Sequence, residues 1–429
     1  MPTSAMGRRL TLALAASLLL TCGDEHHSSV SPAESDSPET PTAEAKQALV
    51  LALARFPVDQ PGKQPVPLPA ALEFLVPSAS GPWKVVAIED PESNVFHKAM
   101  SFPGPAGEPQ LLTVAGGEAT VKTWQNQDGQ LVPTRVWRKD FGGRSSRIRD
   151  VEIADLYNEG RDVLAVATHD QGVVAILRPT GGDGFAVEEI DREPGTFVHE
   201  IEIGDLDGDG VLEVYATPSE PNRLDGSEQK GTVVRYVPAK GEGRVVVADL
   251  GLRHAKEILV EDVDGNGRDE LYVAVEGEMD KQTKQLVSKV EIRRYQAGTD
   301  PSRGTLVAQI PDRFSRFLTV GDIEGDGKKE MVVAGFLSGL WLLRPQSLGL
   351  WKVVSIDRNS GGFEHAAILA DLDEDGRDEL YVASDNEKLV RRYTWDGKRL
   401  VRRVIHRREQ PGSVYTWSLM PVPIELVPR

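Results

Sequence analysis

Cysteine is almost absent from this chain: Cys22 is the only one in 429 residues. A single thiol can form neither an internal disulfide nor a thiolate zinc site. Basic residues are in deficit, with 49 Lys and Arg against 66 Asp and Glu for a net charge of −17. That balance lacks the basic surface that nucleic-acid phosphates demand, so no nucleic-acid partner is expected. The apolar run from Leu10 to Leu20 is about half the ~20 residues that a spanning helix needs. The 3.6-residue periodicity of paired helices is missing, as are nucleophile elbows, Walker loops, zinc-protease helices and dinucleotide fingerprints. Apolar residues at 40% still provide for a sizeable core. The length exceeds an ordinary domain of roughly 100–200 residues, leaving two domains, a repeat array or one large closed architecture.

The N-terminus carries Arg8 and Arg9, the short apolar run, and then Thr21 and Cys22. A basic start followed by a short apolar stretch reads as an export signal over residues 1–21. Its ending, Leu19-Leu20-Thr21-Cys22, resembles the bacterial lipobox, in which the cysteine is lipidated and becomes the new N-terminus. The alternative is an ordinary export signal that happens to contain a thiol. Lipidation at Cys22 would anchor the protein to a membrane without a spanning helix, and places it in the cell envelope or at the surface. Loss of residues 1–21 takes Arg8 and Arg9 with it, so the mature chain stands at −19. Residues 22–45, rich in Ser, Pro, Glu and Thr, read as a disordered tether because they cannot bury enough apolar surface to offset chain entropy.

Residues 46–429 repeat themselves. One acidic phrase recurs at Asp205–Glu213, Asp262–Glu270, Asp322–Glu330 and Asp371–Glu379, with a decayed copy at Asp155–Val163 and a ghost near Phe102 to Gln110. Successive copies begin 50, 57, 60 and 49 residues apart. Alternating stretches such as 199–204 precede the phrase, and apolar β-branched runs such as 271–275 follow it. Four short strands per unit of about fifty residues predict an all-β fold, a β-propeller of four-stranded blades. Trp83 to Ile88 echoes Trp351 to Ile356, and Leu72 to Val76 echoes Leu340 to Arg344, so the domain opens with the last two strands of a blade. Val414 to Met420 supplies a first strand at the other end. The count is therefore seven blades, the seventh closed by strands from both termini, with its second strand drawn from Ala48–Phe56 or from Ile424–Val427. Closure removes free sheet edges.

Within each phrase, positions 1, 3, 5 and 9 carry side-chain oxygens and position 7 offers a backbone carbonyl. The sets are Asp205, Asp207, Asp209, Val211 and Glu213; Asp262, Asp264, Asn266, Arg268 and Glu270; Asp322, Glu324, Asp326, Lys328 and Glu330; and Asp371, Asp373, Asp375, Arg377 and Glu379. Calcium takes six to eight oxygens, which each set nearly fills, so about four Ca2+ sites are expected. The EF-hand is excluded because position 12 is Ala216, Val273, Val333 or Val382, inside a strand. Asp-Gly loops are also simply good turns, and the Asp155 copy, lacking ligands at Tyr157 and Val163, should bind weakly or not at all. The hairpin resembles the calcium loop of FG-GAP repeats, as in the integrin α-chain propeller and bacterial VCBS-type proteins. That resemblance implies metal in the hairpin between the first two strands of a blade, on the lower face.

Six residues before the first Asp of each loop stand Arg149, His199, Lys256, Arg316 and His365, and the ghost repeat offers His97. As the openings of innermost strands they should ring the upper mouth of the central channel. Three readings follow: a site for an anionic ligand such as an acidic glycan or a protein carboxylate, a metal among His97, His199, His254 and His365, or polar residues paired with Asp150, Glu200 and Glu257. The functional expectation is a calcium-stabilised, membrane-anchored, monomeric binding module. The alternative is a lyase-like, polysaccharide-active enzyme working on the face opposite the calcium loops.

Overall fold

The structure is a computed structural model, described for residues 33–34, 45–58, 66–78, 82–104, 107–116, 119–141, 147–169, 171–180, 184–218 and 220–429. Cys22, the export signal and most of the 22–45 tether lie outside the described residues. The rest forms seven four-stranded antiparallel blades in a ring. Blade one spans Phe96–Pro103 to Gln130–Lys139, and the innermost strands of blades two to six are Ile148–Ala154, Val198–Gly204, Ala255–Glu261, Ser315–Gly321 and Ala367–Ala370. Blade four carries a small extra hairpin, Glu278–Met279 with Leu286–Ser288. Ala33–Glu34 adds in parallel to the outer strand of blade six.

The second strand of each blade explains why the apolar runs lack alternation. Val163–Thr168, Glu213–Pro218, Glu270–Val275, Glu330–Gly335 and Glu379–Ser384 are buried at every position. Each is sandwiched between two neighbouring blades. Leu164 and Val166 pack against Leu112 and Val114 of blade one. Ala165 and Ala167, pointing the other way, pack against Val214 and Ala216 of blade three. Period-two geometry thus feeds two inter-blade cores from one strand, and each fully buried Val or Leu contributes roughly 1.5–3 kcal/mol. Outermost strands such as Phe185–Arg192 and Lys84–Asp90 alternate between half-buried and exposed positions instead.

The seventh blade is assembled from both ends of the described chain, in the order Ser413–Pro423, Gln47–Phe56, Ala70–Val76, Lys84–Asp90. Of the two expected sources for its second strand, Ala48–Phe56 is the one used. It pairs along its length from Gln47 with Pro423 to Phe56 with Ser413. Residues Ile424–Leu426 form a 3-10 turn. The strand Gln47–Phe56 is buried from Ala48 to Ala54, so ring closure rests on apolar packing as well as on ten residues of ladder.

Candidate functional sites: the rim hairpins and the channel mouth

The acidic hairpins join the first and second strands of blades three to six at the end of the channel away from the strand openings. Their shape comes from the first Asp. Asp205 accepts the N–H groups of Gly208, Asp209 and Gly210 at 2.8, 3.1 and 2.8 Å; Asp322 accepts the same three of its loop, and Asp262 and Asp371 accept those of positions five and six. Position four needs a left-handed backbone, which glycine supplies at Gly208, Gly265 and Gly325 (φ +72, +71 and +70). The decayed Asp155 loop keeps this scaffold, accepting the N–H groups of Glu159 and Gly160 at 2.9 and 2.6 Å. There Tyr157 has left the ligand set and lies against the Arg178 guanidinium.

Three of the four full loops gather carboxylates closely enough to hold one cation. Asp205, Asp207 and Asp209, then Asp262, Asp264 and Glu270, then Asp371, Asp373 and Asp375 each place three ligand oxygens within 4.8 Å of one another. The clusters are all-oxygen, which suits a hard cation such as calcium. In the Asp322 loop Glu324 reaches to Arg344 at 2.5 Å and Asp326 to Lys328 at 2.6 Å, and these carboxylates form no such cluster. At position seven the backbone N–H groups of Val211, Arg268, Lys328 and Arg377 bond to the side chain at position five.

Position nine divides: Glu270 joins the cluster of its loop, and the other three glutamates turn inward. Glu213, Glu330 and Glu379 are buried beneath their loops and stand outside the clusters. Glu213 accepts the N–H of Leu206 and Glu330 that of Ile323. An arginine from the third strand of the blade meets each of these glutamates: Arg235 on Glu213 at 2.7 Å, Arg344 on Glu330 at 3.6 Å and Arg392 on Glu379 at 2.9 Å. Burial pushes the Glu270, Glu330 and Glu379 carboxyls up to about 7. These arginines lie 13 to 22 residues after the glutamates they meet, outside the acidic phrase. Their recurrence at one place in the repeat is the signal that identifies them.

At the other end of the channel, a cavity of about 310 Å³ is lined by His97, Arg149 and Arg316 among the six residues expected there. Arg149 and Arg316 come from blades two and five and converge. Arg316 Nη1 lies 2.9 Å from Glu364 Oε1, and Arg149 Nη2 lies 3.7 Å from Glu364 Oε2. Both guanidiniums also donate to His199 Nε2, at 3.1 and 3.3 Å, while His199 Nδ1 donates to the Lys256 carbonyl at 3.1 Å. His199 is therefore a neutral acceptor behind the cavity, and burial with Arg149 and Arg316 beside it holds the imidazole well below its usual range. The face of Arg149 lies 4.5 Å from the Trp417 ring, and that of Arg316 4.4 Å from Phe363.

Two expected ring members are elsewhere. Lys256 pairs with Glu220 and Glu276 at 3.2 and 3.3 Å. His365 is fully buried, donating from Nδ1 to the Gly335 carbonyl at 2.6 Å and accepting from the Ser360 hydroxyl at 2.8 Å. Blade six breaks the count because its inner strand begins only at Ala367, after Gly361, Gly362 and a left-handed His365 (φ +57). Glu364, one residue earlier, takes the channel position. The all-histidine metal site dissolves: His254 Nε2 contacts the Gln229 carbonyl at 2.8 Å, and none of the metal-competent clusters contains histidine.

Comparison with known proteins supports the architecture. No protein-family model matches the sequence, and no curated protein matches it. Among solved structures, the chain is similar to a candidate 6-phosphogluconolactonase from Bacteroides uniformis, with a TM-score of 0.54 and 11% identity over 88% of this chain and 100% of that one. It is likewise similar to one from Bacteroides fragilis, with a TM-score of 0.51 and 12% identity over 89% of this chain and 99% of that one. At these identities the likeness establishes the propeller fold alone.

Proposed function

We propose that this protein is an exported, membrane-anchored binding module: an FG-GAP/VCBS-like propeller, anchored through Cys22, whose rim hairpins hold calcium and whose channel mouth takes an acidic ligand. The domain division supporting this is a signal at 1–21, a tether at 22–45 and the propeller at 46–429. Asp205, Asp207 and Asp209, with their counterparts around Asp262 and Asp371, would hold calcium, which supplies charge neutralisation at the rim. The observation that carries the ligand reading is the convergence of Arg149 and Arg316 on the single carboxylate of Glu364. Two buried guanidiniums with aromatic faces behind them suit the bidentate grip of a carboxylate, sulfate or phosphate, with Trp417 and Phe363 available to a sugar ring.

The test is titration of the purified domain, in calcium, with polygalacturonate and with a neutral polysaccharide of equal length. Wild type should bind the acidic polymer, and Arg149→Ala/Arg316→Ala should lose it by tenfold or more. Equal binding of the neutral polymer sinks the reading. Release of shortened products during the titration would assign the site to a polysaccharide-degrading enzyme instead.

A further inference from the structure

Below the arginine layer the channel changes character, and its two sides differ. Blades two, three and four present Asp150, Glu152, Glu200, Glu202 and Glu257, whereas blades five, six and seven present Phe317, Val320, Ile368, Leu419 and Met420. A sixth carboxylate of this wall, Glu261, pairs with Lys329; against the other five the belt holds one cation, Lys98, which is spent on Asp150 at 3.0 Å and on Glu152. Glu202 and Glu257 have no ion pair among the described residues. Glu257 keeps one acceptor role, taking the N–H of Leu318 at 2.7 Å. Burial, with the neighbouring carboxylates, holds Glu200, Glu202 and Glu257 well above the usual range. Carboxyls are thus crowded together with one lysine among them, an arrangement that favours their protonated forms, costs stability and marks functional sites.

A separate observation points to what is missing. His97 is 2% exposed and donates from Nδ1 to the Ile148 carbonyl at 2.7 Å. The tautomer is therefore fixed, and Nε2 carries a lone pair. That atom is buried without a partner, on a ring that lines the same cavity. Burial, then Arg149, keeps this imidazole neutral by pushing it well below its usual range. A buried acceptor held open in this way needs a donor.

A bare metal ion fits poorly. The belt carboxylates gather into none of the three-ligand clusters found in the rim hairpins, and the oxygens of the facing wall, on Glu364, Thr319 and Ser418, are engaged by Arg316 and by backbone N–H groups. An ammonium with an apolar body fits both sides. We propose that the central channel is a binding site for a small organic amine, its protonated primary amino group held among Glu200, Glu257 and His97, and its aliphatic part laid against Phe317, Ile368 and Met420. The volume of about 310 Å³ is at the small-molecule end of ligand pockets, which run from roughly 300 to 1,000 Å³. The amine would lie in the same cavity as the acidic ligand, below the arginine layer that the acidic-ligand reading uses.

The experiment is calorimetric titration of the domain in saturating calcium, which fills the hairpins, with n-hexylamine, hexanoate, hexanol and magnesium chloride. Hexylamine should bind while hexanoate and hexanol do not, and magnesium should fail to displace it. Glu200→Gln/Glu257→Gln should weaken hexylamine at least tenfold and raise the melting temperature of the ligand-free protein, because the cost of crowding buried carboxyls is gone. Ile368→Asn should weaken hexylamine while leaving the charge set intact, and it serves as the decisive variant if the double change fails to fold. Absence of hexylamine binding to wild type, equal binding of hexanol, or displacement by magnesium overturns the proposal.

Discussion

The carboxylate of Asp378 accepts the backbone N–H of Asp322 at 2.7 Å, so that the hairpin of blade six fastens the start of the hairpin of blade five. The same link joins Asp269 to the N–H of Asp205 at 2.7 Å across blades four and three. In both joints the residue before the fastened Asp is glycine. A Cβ on Gly321 would meet Asp378 Oδ2 at 2.5 Å, and one on Gly204 would meet Asp269 Oδ2 at 2.8 Å. Between blades five and four the same two positions are Lys329 and Glu261, which form an ion pair. The ring thus uses two interchangeable joints at one location: glycine with aspartate, or glutamate with lysine.

Breaking one joint should therefore cost stability in a pairwise manner. Asp378→Ala leaves the Asp322 N–H without its acceptor, for a loss of about 1–3 kcal/mol. Gly321→Ala should lose at least as much through the close contact. Because the two act on one joint, the double variant should lose less than the sum. Converting the other joint with Glu261→Gly/Lys329→Asp should be milder than Lys329→Asp alone, which sets two carboxylates face to face. Urea midpoints decide it, and strict additivity would remove the idea of a joint.

The rim hairpins make a countable prediction. Calorimetric titration of metal-stripped protein should resolve three calcium sites of similar strength, with the Asp322 loop weaker, since its carboxylates do not gather into a three-ligand cluster. Chelation should lower the melting temperature and calcium restore it, by the mass-action term for a ligand that binds the folded state. Asp207→Ala should remove one site and part of the calcium-induced shift, while changing little in chelator. A melting curve indifferent to calcium would reduce the hairpins to turns.

The seven-blade ring was legible in the sequence because strand, acidic turn and strand recur at fixed spacing, and because Trp83 and Trp351 open matching strands. The choice of Gln47–Phe56 for the closing blade was only half legible. An apolar run of that kind fits any fully buried strand, and Ile424–Leu426 carries similar residues into a turn. The first, third and fifth positions of the hairpins were read directly from the phrase. The inward turn of Glu213, Glu330 and Glu379 was not, because it depends on Arg235, Arg344 and Arg392 from another strand. At the channel mouth, counting back from the loops found Arg149, His199 and Arg316. It failed in blade six, where the left-handed His365 shifts the register by one, and it could not weigh Glu202 and Glu257, which have no ion pair among the described residues.

Glu364 holds the two channel arginines together, and its removal has a distinctive signature. The side chain is 1% exposed and lies between guanidiniums that are themselves almost fully buried. Glu364→Gln leaves two buried cations without their carboxylate, for a loss of roughly 3–5 kcal/mol. If the mouth accepts anions, sulfate should then stabilise the variant more than the wild type by occupying the vacated position. Thermal melts of both proteins across sulfate concentrations, at constant ionic strength with chloride, provide the measurement. Equal shifts would mean that the arginine pair does not recruit anions.

The last prediction concerns pH and His365, whose imidazole burial pushes down to about 4 from an ordinary 6.5. The hydrogen bond to the Gly335 carbonyl opposes that shift, Arg391 adds to it, and Asp357 opposes it more weakly. A depressed pKa on a base means that the unfolded chain takes up its proton first as pH falls. The contribution is therefore complete above about 6.5, is lost as pH drops towards 4, and changes no further below that. With 1.36 kcal/mol per unit, the loss between pH 7 and pH 5 is about 2 kcal/mol from this group. His97 and His199, also held low, act in the same direction. His365→Asn keeps a donor for the Gly335 carbonyl and tolerates the left-handed backbone, but it does not titrate. Its unfolding free energy should fall between pH 7 and pH 5 by about 2 kcal/mol less than that of wild type. Parallel losses in the two proteins would place the acid sensitivity elsewhere in the ring.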